Sequence, residues 1–227
     1  MSLVAFDFDG TLSDSEMTVL LGEQMGTVER SAANGRAERV NVADEMADVT
    51  ERAMNDEISY AESLRDRAAL LEGLAVEDAD AAFDEVELRP DAGTLIRELN
   101  DAGVTTAVLT GGFERGVERA LEKAGVSVDA IVANRLPVEN GHLTGEVEGP
   151  LIEGTKDDAL ERLAGEREIP IGDTVAVGDG ANDLPMLEVA GLAVGFAPKS
   201  SVRPACDVVV ATMERLGDVL DEEGLLG

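Results

Sequence analysis

The stretch LVAFDFDGTLSD, Leu3 to Asp14, constrains the fold of this chain more than any other. Its apolar part predicts a strand over Leu3–Phe8, and Asp7 and Asp9 stand two residues apart at the C-terminal end of that strand. Side chains two apart in a strand leave it on the same face. Because buried carboxylates are costly unless they are paired, hydrogen-bonded or bound to a metal, the stretch indicates a strand that ends at a cation site.

Short β-like runs recur along the chain, each followed by a helical pattern. This alternation predicts an α/β fold with a mainly parallel sheet. The dipeptide Asn140-Gly141, within Asn134–Gly149, stands between two short extended runs and predicts a small antiparallel β-hairpin appended to the core. The predicted strands after the first are Thr105–Leu109, Ala130–Ala133, Thr174–Val177, Leu192–Phe196 and Asp207–Val210.

The segment 16–87 interrupts the alternation and reads as helices. A helical block between the first and second strands is expected to lie as a cap over the C-terminal edge of the sheet, where open α/β sheets bind ligands. The predicted organisation is a core of residues 1–15 and 88–227 with a helical cap of residues 16–87.

The charge balance narrows the class of partner. The chain has 48 acidic and 18 basic residues, a net charge of −30, which would repel nucleic acid and anionic membranes, so neither is expected as a partner. So few bases beside so many acids favour a halophilic protein of a high-salt cytoplasm, with a merely acidic enzyme as the alternative. No apolar run has the length of a membrane span, and the lone Cys206 favours a reducing cytoplasm. The sequence carries no signal of an oligomeric state.

A second acidic strand end lies in VAVGDGANDLPML, Val175–Leu187. Asp179 stands between two glycines at the tip of the predicted strand, and Asp183 follows it before a helix. A helix N-cap role would explain Asp183 but not Asp179. Asp7, Asp9 and Asp179 could converge on one Mg²⁺, a hard cation that takes oxygen ligands and keeps several waters.

Two further segments offer groups for an anion. In VLTGGFERG, Thr110 is predicted to end a strand and Gly111-Gly112 to open a helix, which would set free N–H donors beside a hydroxyl; a plain N-cap role for Thr110 is the alternative. In EGTKDDALERL, Thr155 is predicted as an N-cap, so Lys156 lies in a first helical turn, where the helix dipole disfavours a cation. A bound phosphate would remove that conflict, and a solvated surface lysine is the alternative.

These four segments resemble the haloacid dehalogenase superfamily of phosphohydrolases. The pattern D-x-D-G-T, a strand-ending Thr110, a helix-starting Lys156 and G-D-G-x-N-D occur in that superfamily's order, over Met1–Ser15 and roughly Leu88–Gly227. The resemblance implies a three-layer Rossmann-like core with an inserted cap, and a Mg²⁺-dependent phosphomonoesterase.

The resemblance also implies a role for each residue of the four segments. Asp7 would be the nucleophile that forms an aspartyl phosphate, and Asp9 would protonate the departing alkoxide and then take a proton from water. Mg²⁺ would be held by Asp7, the Asp9 carbonyl and Asp179, with Lys156 completing the clamp on the phosphoryl group. The remaining implied roles are phosphate contacts from Gly10, Thr110, Gly111 and Asn182, and orientation of metal-bound water by Asp183.

The choice of substrate is expected to depend on the cap. In SYAESLRDRAALL, Ser59 and Glu62 predict a capping box, and Arg67 interrupts an otherwise apolar helix face. One interpretation is that the Arg67 guanidinium binds a substrate carboxylate with two hydrogen bonds. The alternative is that its side chain extends along the apolar face to solvent or pairs with a local glutamate.

The cap run AMNDEISYAESLRDRAALL, the hairpin ANRLPVENGHLTGEVEG and the run TVAVGDGANDLPM resemble the phosphoserine phosphatases more specifically. This resemblance implies hydrolysis of L-phosphoserine, a step of serine biosynthesis. It implies that Glu16 receives the substrate amino group and Arg67 the carboxylate. Met54 and Tyr60 match apolar cap residues that close over the ligand.

The chain departs from that pattern in places. Gly10 and Thr110 stand where these phosphatases often have serine, and Tyr60 stands where they commonly have phenylalanine. The segment Thr27–Asn41 looks longer, either as a surface elaboration or as a change to the pocket. It brings three arginines, Arg30, Arg36 and Arg39.

Other functions therefore stay open at this point. Within enzymes, the alternative is a sibling small-molecule phosphatase, or a phosphotransferase whose acceptor is an alcohol. Outside enzymes, the alternatives are a phospho-receiver and an acidic interaction protein. A receiver needs neither a cap nor a leaving-group acid, and an interaction protein leaves the placement of Asp7, Lys156 and Asp179 unexplained.

Overall fold

A six-stranded parallel sheet forms the centre of the computed structural model, which describes residues 1–31, 37–54, 57–153 and 155–227. The strands lie in the order β10-β9-β8-β1-β4-β5, and every pairing is parallel. The predicted α/β class and all six predicted strands are confirmed. The strands are β1 (Leu3–Phe6), β4 (Thr105–Phe113), β5 (Ala130–Asn134), β8 (Thr174–Gly178), β9 (Leu192–Phe196) and β10 (Val208–Val210).

The register of the sheet brings three strand ends to one level. Phe6 of β1 pairs with Val108 of β4 on one side and with Val177 of β8 on the other. The residues that follow these strands must therefore meet at one edge, with the end of β1 in the middle. This is why segments far apart in the sequence can build one site.

Helices cover both faces of the sheet, as the three-layer prediction requires. Successive strand residues point to opposite faces, so Val4 and Phe6 pack into the core beneath α5, α6 and α9, while Leu3 and Ala5 pack against α7 and α8. The core helices are α5 (Ala92–Asp101), α6 (Glu114–Ala124), α7 (Lys156–Glu166), α8 (Leu184–Val189) and α9 (Met213–Glu222). Short 3-10 turns span Ile171–Asp173, Ala181–Asp183 and Arg203–Ala205.

The described residues of segment 16–87 form four helices and, against the prediction, a two-stranded antiparallel sheet. The helices are α1 (Met17–Met25), α2 (Val42–Met54), α3 (Tyr60–Ala69) and α4 (Val76–Asp84), and the strands are β2 (Thr27–Ser31) and β3 (Ala37–Asn41). The purely helical prediction is wrong here because α1 ends at Gly26 and the next five residues alternate, with Val28 paired to Val40 and packed on the core. Arg39 is exposed, whereas Arg36 and the Arg30 side chain lie outside the described residues.

The two connections between cap and core run side by side. The Ser13 hydroxyl donates to the Glu87 carbonyl at 2.7 Å, and Ser13 also forms an antiparallel bridge with Leu88. The boundaries predicted at residues 15 and 88 fall at this crossing point, and the division into two domains stays a prediction.

The predicted hairpin between residues 134 and 149 is confirmed as β6 (Val138–Glu139) and β7 (His142–Leu143). Asn140 and Gly141 have φ angles of 51° and 80°, which only a few residue types adopt easily. The hairpin reaches the cap, where Gly73 donates to the Leu143 carbonyl and the Leu143 N–H donates to Leu74.

Among the described residues, no helix combines the length and apolar character needed to cross a bilayer.

Candidate active site

Three carboxylates meet at the C-terminal edge of the sheet. Oxygen atoms of Asp7, Asp179 and Asp183 lie within 4.8 Å of one another. Asp7 and Asp183 are almost fully buried, and Asp179 is half-buried. Such a set suits a hard divalent cation with oxygen ligands and several waters. The structure thus brings together Asp7 and Asp179, both predicted as metal ligands, and adds Asp183 to them.

Asp183 differs from the other two in how its oxygens are used. Its Oδ2 accepts from the N–H groups of Asp179 and Gly180, both at 2.9 Å, and its Oδ1 accepts from Lys156 at 2.6 Å. These bonds hold the strand tip that carries Asp179. Both oxygens of Asp183 are therefore occupied by hydrogen bonds, which suits the orienting role predicted for it. Asp7 and Asp179 have carboxylate oxygens with fewer hydrogen bonds, which suits them as metal ligands.

Lys156 lies buried between two carboxylates. Its Nζ donates to Asp7 Oδ1 at 2.5 Å and to Asp183 Oδ1 at 2.6 Å, and its side chain is 2 % exposed. The alternative of a solvated surface lysine is wrong. Burial alone would lower the pKa of Lys156, but Asp183 and Asp7 outweigh it and raise that pKa, so the cation is retained.

Thr155 does not cap the helix that Lys156 begins. Its hydroxyl donates instead to the Pro150 carbonyl at 3.0 Å, and no side-chain cap is formed. The prediction of an N-cap is wrong at this position, because the hydroxyl ties down the loop that precedes the helix.

Asp7 is placed to act as a nucleophile. Its Oδ1 is held by Lys156, while its Oδ2 accepts no hydrogen bond from the described residues. Burial, and then the charge of Asp183, raise the pKa of Asp7 to about 8 against the opposing effect of Lys156. The site therefore needs further positive charge to keep Asp7 ionised at neutral pH, and a divalent cation on the three carboxylates would supply it.

Asp9 is held in a different environment from Asp7. The Met17 backbone N–H donates to its carboxyl group, and its Oδ1 is buried with no partner among the described residues. Burial, followed by the charge of Glu16, raises the pKa of Asp9 well above its usual range. Acid catalysis requires a protonated carboxyl group, and nucleophilic attack requires an ionised one. A protonated Asp9 next to an ionised Asp7 would meet both requirements.

Gly10 contributes a backbone conformation with positive φ and room for the Asp179 side chain, and its N–H is not a free hydrogen-bond donor. Its φ is +87°, and a side chain there would approach the Asp179 carboxyl carbon to 2.8 Å. Its N–H already donates to the Ser13 carbonyl at 2.9 Å. The phosphate contact implied for Gly10 stays a prediction, but its own N–H is not free to make that contact, because the turn after Asp9 uses that donor internally.

Thr110 and Gly111 lie in an irregular part of β4. The pairing of β4 with β5 shifts between Leu109 and Phe113, and α6 begins only at Glu114. The prediction that a helix opens at Gly111-Gly112 is wrong, because β4 continues past Thr110 to pair with the end of β5. The buried Thr110 hydroxyl accepts from the Gly112 N–H at 2.9 Å and lies at the edge of the site without capping a helix.

Asn134 is a site residue to which the sequence analysis assigned no role. Its buried amide Nδ2 donates to the Gly111 carbonyl at 3.0 Å, and its Oδ1 accepts from the Leu151 N–H at 3.0 Å. Asn134 thus ties the irregular part of β4 to the loop that leads to Lys156. The only signal in the sequence was a polar residue at the end of a predicted strand.

The cap places Tyr60 directly over Gly111. A Cβ atom on Gly111 would lie 1.7 Å from the Tyr60 hydroxyl oxygen, so only glycine fits there. Burial raises the pKa of Tyr60 to about 12, with Lys156 and Arg67 acting in the opposite direction. The predicted capping box of Ser59 and Glu62 is confirmed at the start of this helix.

Arg67 contacts α1 without meeting an acid among the described residues. Its guanidinium donates to the Thr18 hydroxyl at 3.1 Å and to the Ser63 carbonyl at 3.3 Å. Within the described residues it forms no ion pair, so the alternative of a local Arg–Glu pair is wrong. A half-buried cation with spare donors is notable in a chain of net charge −30.

The other predicted site residues are placed as follows. Glu16 precedes α1 and lies near enough to Asp9 to affect its pKa. Asn182 is half-buried, with its amide 3.4 Å from Asp183. Met54 is the last residue of α2, and its side chain lies outside the described residues.

The chain is similar to known hydrolases. The model of the haloacid dehalogenase-like hydrolases matches residues 4–188. The chain belongs to that family, and it is a phosphoric monoester hydrolase.

Within the family, the chain is similar to phosphoserine phosphatases. The chain is 51% identical to the phosphoserine phosphatase of Halobacterium salinarum, over 99% of this chain and 100% of that protein. It is 37% identical to the phosphoserine phosphatase of Lactococcus lactis, over 89% and 87%. The relative from Halobacterium salinarum also fits the prediction of a halophilic protein.

Solved structures agree with the sequence comparison. A substrate-bound phosphoserine phosphatase complex superposes with a TM-score of 0.83 at 32% identity, covering 96% of this chain and 97% of that one. A phospho-aspartyl intermediate analogue of phosphoserine phosphatase gives a TM-score of 0.81 at 32% identity, over 96% and 98%. The resemblance inferred from the motifs is confirmed, and both non-enzyme alternatives are wrong.

Proposed function

We propose that the protein hydrolyses L-phosphoserine to L-serine and inorganic phosphate, a step of serine biosynthesis in the cytoplasm. The observation that carries the proposal is Arg67, a half-buried cation that has spare donors and no described carboxylate partner. Tyr60 lies near both Arg67 and the acidic cluster, because the charges of Arg67, Lys156 and Asp7 all act on its hydroxyl. A ligand that reaches from Lys156 to Arg67 would place an anionic group at each of these two cations, as phosphoserine can.

The substrate would be held by groups that match its three charges. Arg67 would bind the carboxylate with a guanidinium fork. Glu16 would receive the ammonium group, since its charge already acts on the Asp9 carboxyl group beside the leaving oxygen. Met54 and Tyr60 would close over the ligand from the cap.

The phosphate would lie between the strand ends. Lys156 would contact its oxygens together with Thr110, Gly111 and Asn182, while Gly10 would leave room for Asp179. Asp7 and Asp179, with the Asp9 carbonyl, would hold Mg²⁺, and Asp183 would orient its water. When bound, the cation would neutralise charge on the phosphoryl oxygens.

The first chemical step would be an in-line displacement by Asp7. Its free Oδ2 would attack phosphorus and form an aspartyl phosphate, while the bond from phosphorus to the serine oxygen breaks. Asp9 would give its proton to that oxygen, so that serine leaves as an alcohol. Lys156 would keep Asp7 oriented through Oδ1.

The second step would reverse the roles of proton donor and acceptor. Asp9, now ionised, would take a proton from a water molecule as the water oxygen attacks phosphorus. The bond between Asp7 and phosphorus breaks, which releases phosphate and restores both carboxyl groups to their starting states. The raised pKa of Asp9 suits this cycle, because the residue must be protonated at its start.

Phosphate release from a panel of esters tests the proposal. The panel holds L-phosphoserine, O-phosphoethanolamine, which lacks the carboxylate, and sugar phosphates, each with Mg²⁺ and then with EDTA in molar KCl. We expect phosphoserine to be hydrolysed fastest, with EDTA abolishing turnover. Faster turnover of a sugar phosphate would show a sibling specificity, and product phosphorylated on an added alcohol in place of free phosphate would show a phosphotransferase.

A further inference from the structure

Arg89 lies where the chain returns from the cap to the core, and it contacts the turn that follows Asp9. Its Nε donates to the Thr11 carbonyl at 3.0 Å, and its Nη2 donates to the Gly10 carbonyl at 3.2 Å. Its backbone N–H donates to the Leu12 carbonyl at 2.8 Å. One residue therefore satisfies three consecutive carbonyl groups of this turn.

The rest of the turn is closed by its own hydrogen bonds. The N–H groups of Thr11 and Ser13 donate to the Phe8 carbonyl at 3.2 and 2.9 Å, and the Gly10 N–H donates to the Ser13 carbonyl at 2.9 Å. With Arg89 in place, Asp9 is the one residue from 8 to 13 whose carbonyl accepts no hydrogen bond from the described residues. The carbonyl proposed above as a cation ligand is the one that is left free.

Arg89 is itself held firmly. Its guanidinium carbon lies 5.4 Å from the centroid of the Phe196 ring, in a cation–π contact, and Phe196 is buried at the end of β9. Asp14 approaches it to 4.0 Å, and the neighbouring Glu87 carbonyl is bonded to Ser13. A side chain fixed on one side by a buried ring can hold a flexible turn on the other.

We propose that Arg89 is a positioning residue that fixes the turn 9–13, so that the Asp9 carboxyl group meets the leaving oxygen of the substrate. This inference rests on the proposed role of Asp9 as the proton donor. Asp9 has few constraints of its own, since among the described residues only the Met17 N–H donates to its carboxyl group. Its direction therefore depends on the turn, and the turn depends on Arg89.

Two substitutions separate the donors of Arg89 from its charge. Arg89→Met keeps most of the length and removes both side-chain donors, while Arg89→Lys keeps a cation that can reach one carbonyl. Arg97→Met is the matched control, because Arg97 is exposed on α5 and has no hydrogen bond or ion pair with the described residues. Asp9→Asn provides the reference for loss of the proton donor.

Two esters with different leaving groups distinguish misplacement of Asp9 from general damage. Phosphoserine needs a proton on its leaving oxygen, whereas p-nitrophenolate leaves from p-nitrophenyl phosphate without one. We expect Arg89→Met to lower kcat for phosphoserine by about 30-fold, with KM and p-nitrophenyl phosphate turnover changed less than about threefold. Arg89→Lys should fall between Arg89→Met and the unmodified protein, and Arg97→Met should match the unmodified protein.

Hydrogen exchange reports on the turn without any turnover. In Arg89→Met the amides of Gly10, Thr11 and Ser13 should exchange faster, while those of β1 and β8 keep their protection. Equal loss on both esters with unchanged exchange in the turn would overturn the inference, as would a phosphoserine kcat within about threefold of the unmodified protein. If the unmodified protein does not hydrolyse phosphoserine, the proposed substrate fails, and the exchange result still decides whether Arg89 holds the turn.

Discussion

Removing the buried cation should destabilise the protein in a way that depends on pH. Lys156 lies 2.5 Å from Asp7 and 2.6 Å from Asp183, and the three side chains are 2%, 3% and 0% exposed. Lys156→Met keeps the length of the side chain and leaves two buried carboxylates without their partner. Loss of one partner of a buried ion pair costs about 3–5 kcal/mol, which for a chain of this size corresponds to a fall of about 6–20 °C in Tm.

The pH dependence follows from the carboxylates left behind. The pKa of Asp7 is already raised to about 8 by burial and Asp183, and the loss of Lys156 raises it further. A raised pKa gives stability that is present at low pH and lost as pH rises, so the deficit of the variant should be largest above pH 8 and shrink towards pH 5. Added Mg²⁺ should also reduce it, because the cation replaces part of the missing charge.

Thermal unfolding in molar KCl, with and without Mg²⁺, measures these effects. Arg162→Met is the matched control, since Arg162 is 52% exposed and its ion pair with Glu166 spans 3.1 Å, so a change below about 1 kcal/mol is expected. A Lys156→Met protein that unfolds within about 2 °C of the unmodified one at pH 8 without Mg²⁺ would refute the reasoning. So would a deficit that grows as pH falls.

Three more substitutions test the site directly. Asp7→Asn should abolish turnover and the trapping of acid-stable phosphoprotein, because an amide cannot form the acyl phosphate. Turnover at the level of the unmodified protein would mean another nucleophile. Arg67→Ala should raise KM for phosphoserine about 30-fold or more and leave KM for O-phosphoethanolamine nearly unchanged, because a charged hydrogen-bonded contact is lost only for the substrate with a carboxylate. Arg65→Ala, at an exposed ion pair, should change neither KM value. Equal rises in KM for both esters would make Arg67 structural. Gly111→Ala should reduce kcat/KM by about 100-fold, because its methyl group would lie 1.7 Å from the Tyr60 hydroxyl. Adding Tyr60→Phe should recover part of this loss. No recovery in the double variant would show that the two residues do not meet during turnover.

The sequence alone predicted the parts of the fold that depend on local pattern. The apolar runs and the Asn140-Gly141 turn sufficed for the six strands and the hairpin, because short buried strands and positive φ angles leave local signatures. The sequence analysis singled out Asp7 and Asp179 because a charged residue at the end of an apolar strand conflicts with its local surroundings. It singled out Lys156 because a cation is unfavourable in the first turn of a helix.

The remaining features depend on contacts between distant segments. Arg89 stands 78 residues from Thr11, and nothing near it in the chain indicates that its guanidinium meets that carbonyl. Asn134 bonds to Gly111 across the irregular part of β4, and the shift in pairing that extends β4 past Thr110 is decided by β5. The strands β2 and β3 were missed because five-residue polar strands have a weak alternating signal beside strong helical neighbours.

The placement of Tyr60 gives the protein an optical probe of the contact between α3 and β4. The chain has one tyrosine and no tryptophan, so all of its intrinsic fluorescence above 300 nm comes from the ring that the cap sets over Gly111. With a pKa of about 12, the phenol stays un-ionised through the working pH range, and its emission depends only on its surroundings. Movement of segment 16–87 relative to the core would therefore change the emission of the unlabelled protein, through the residue proposed to close over the substrate.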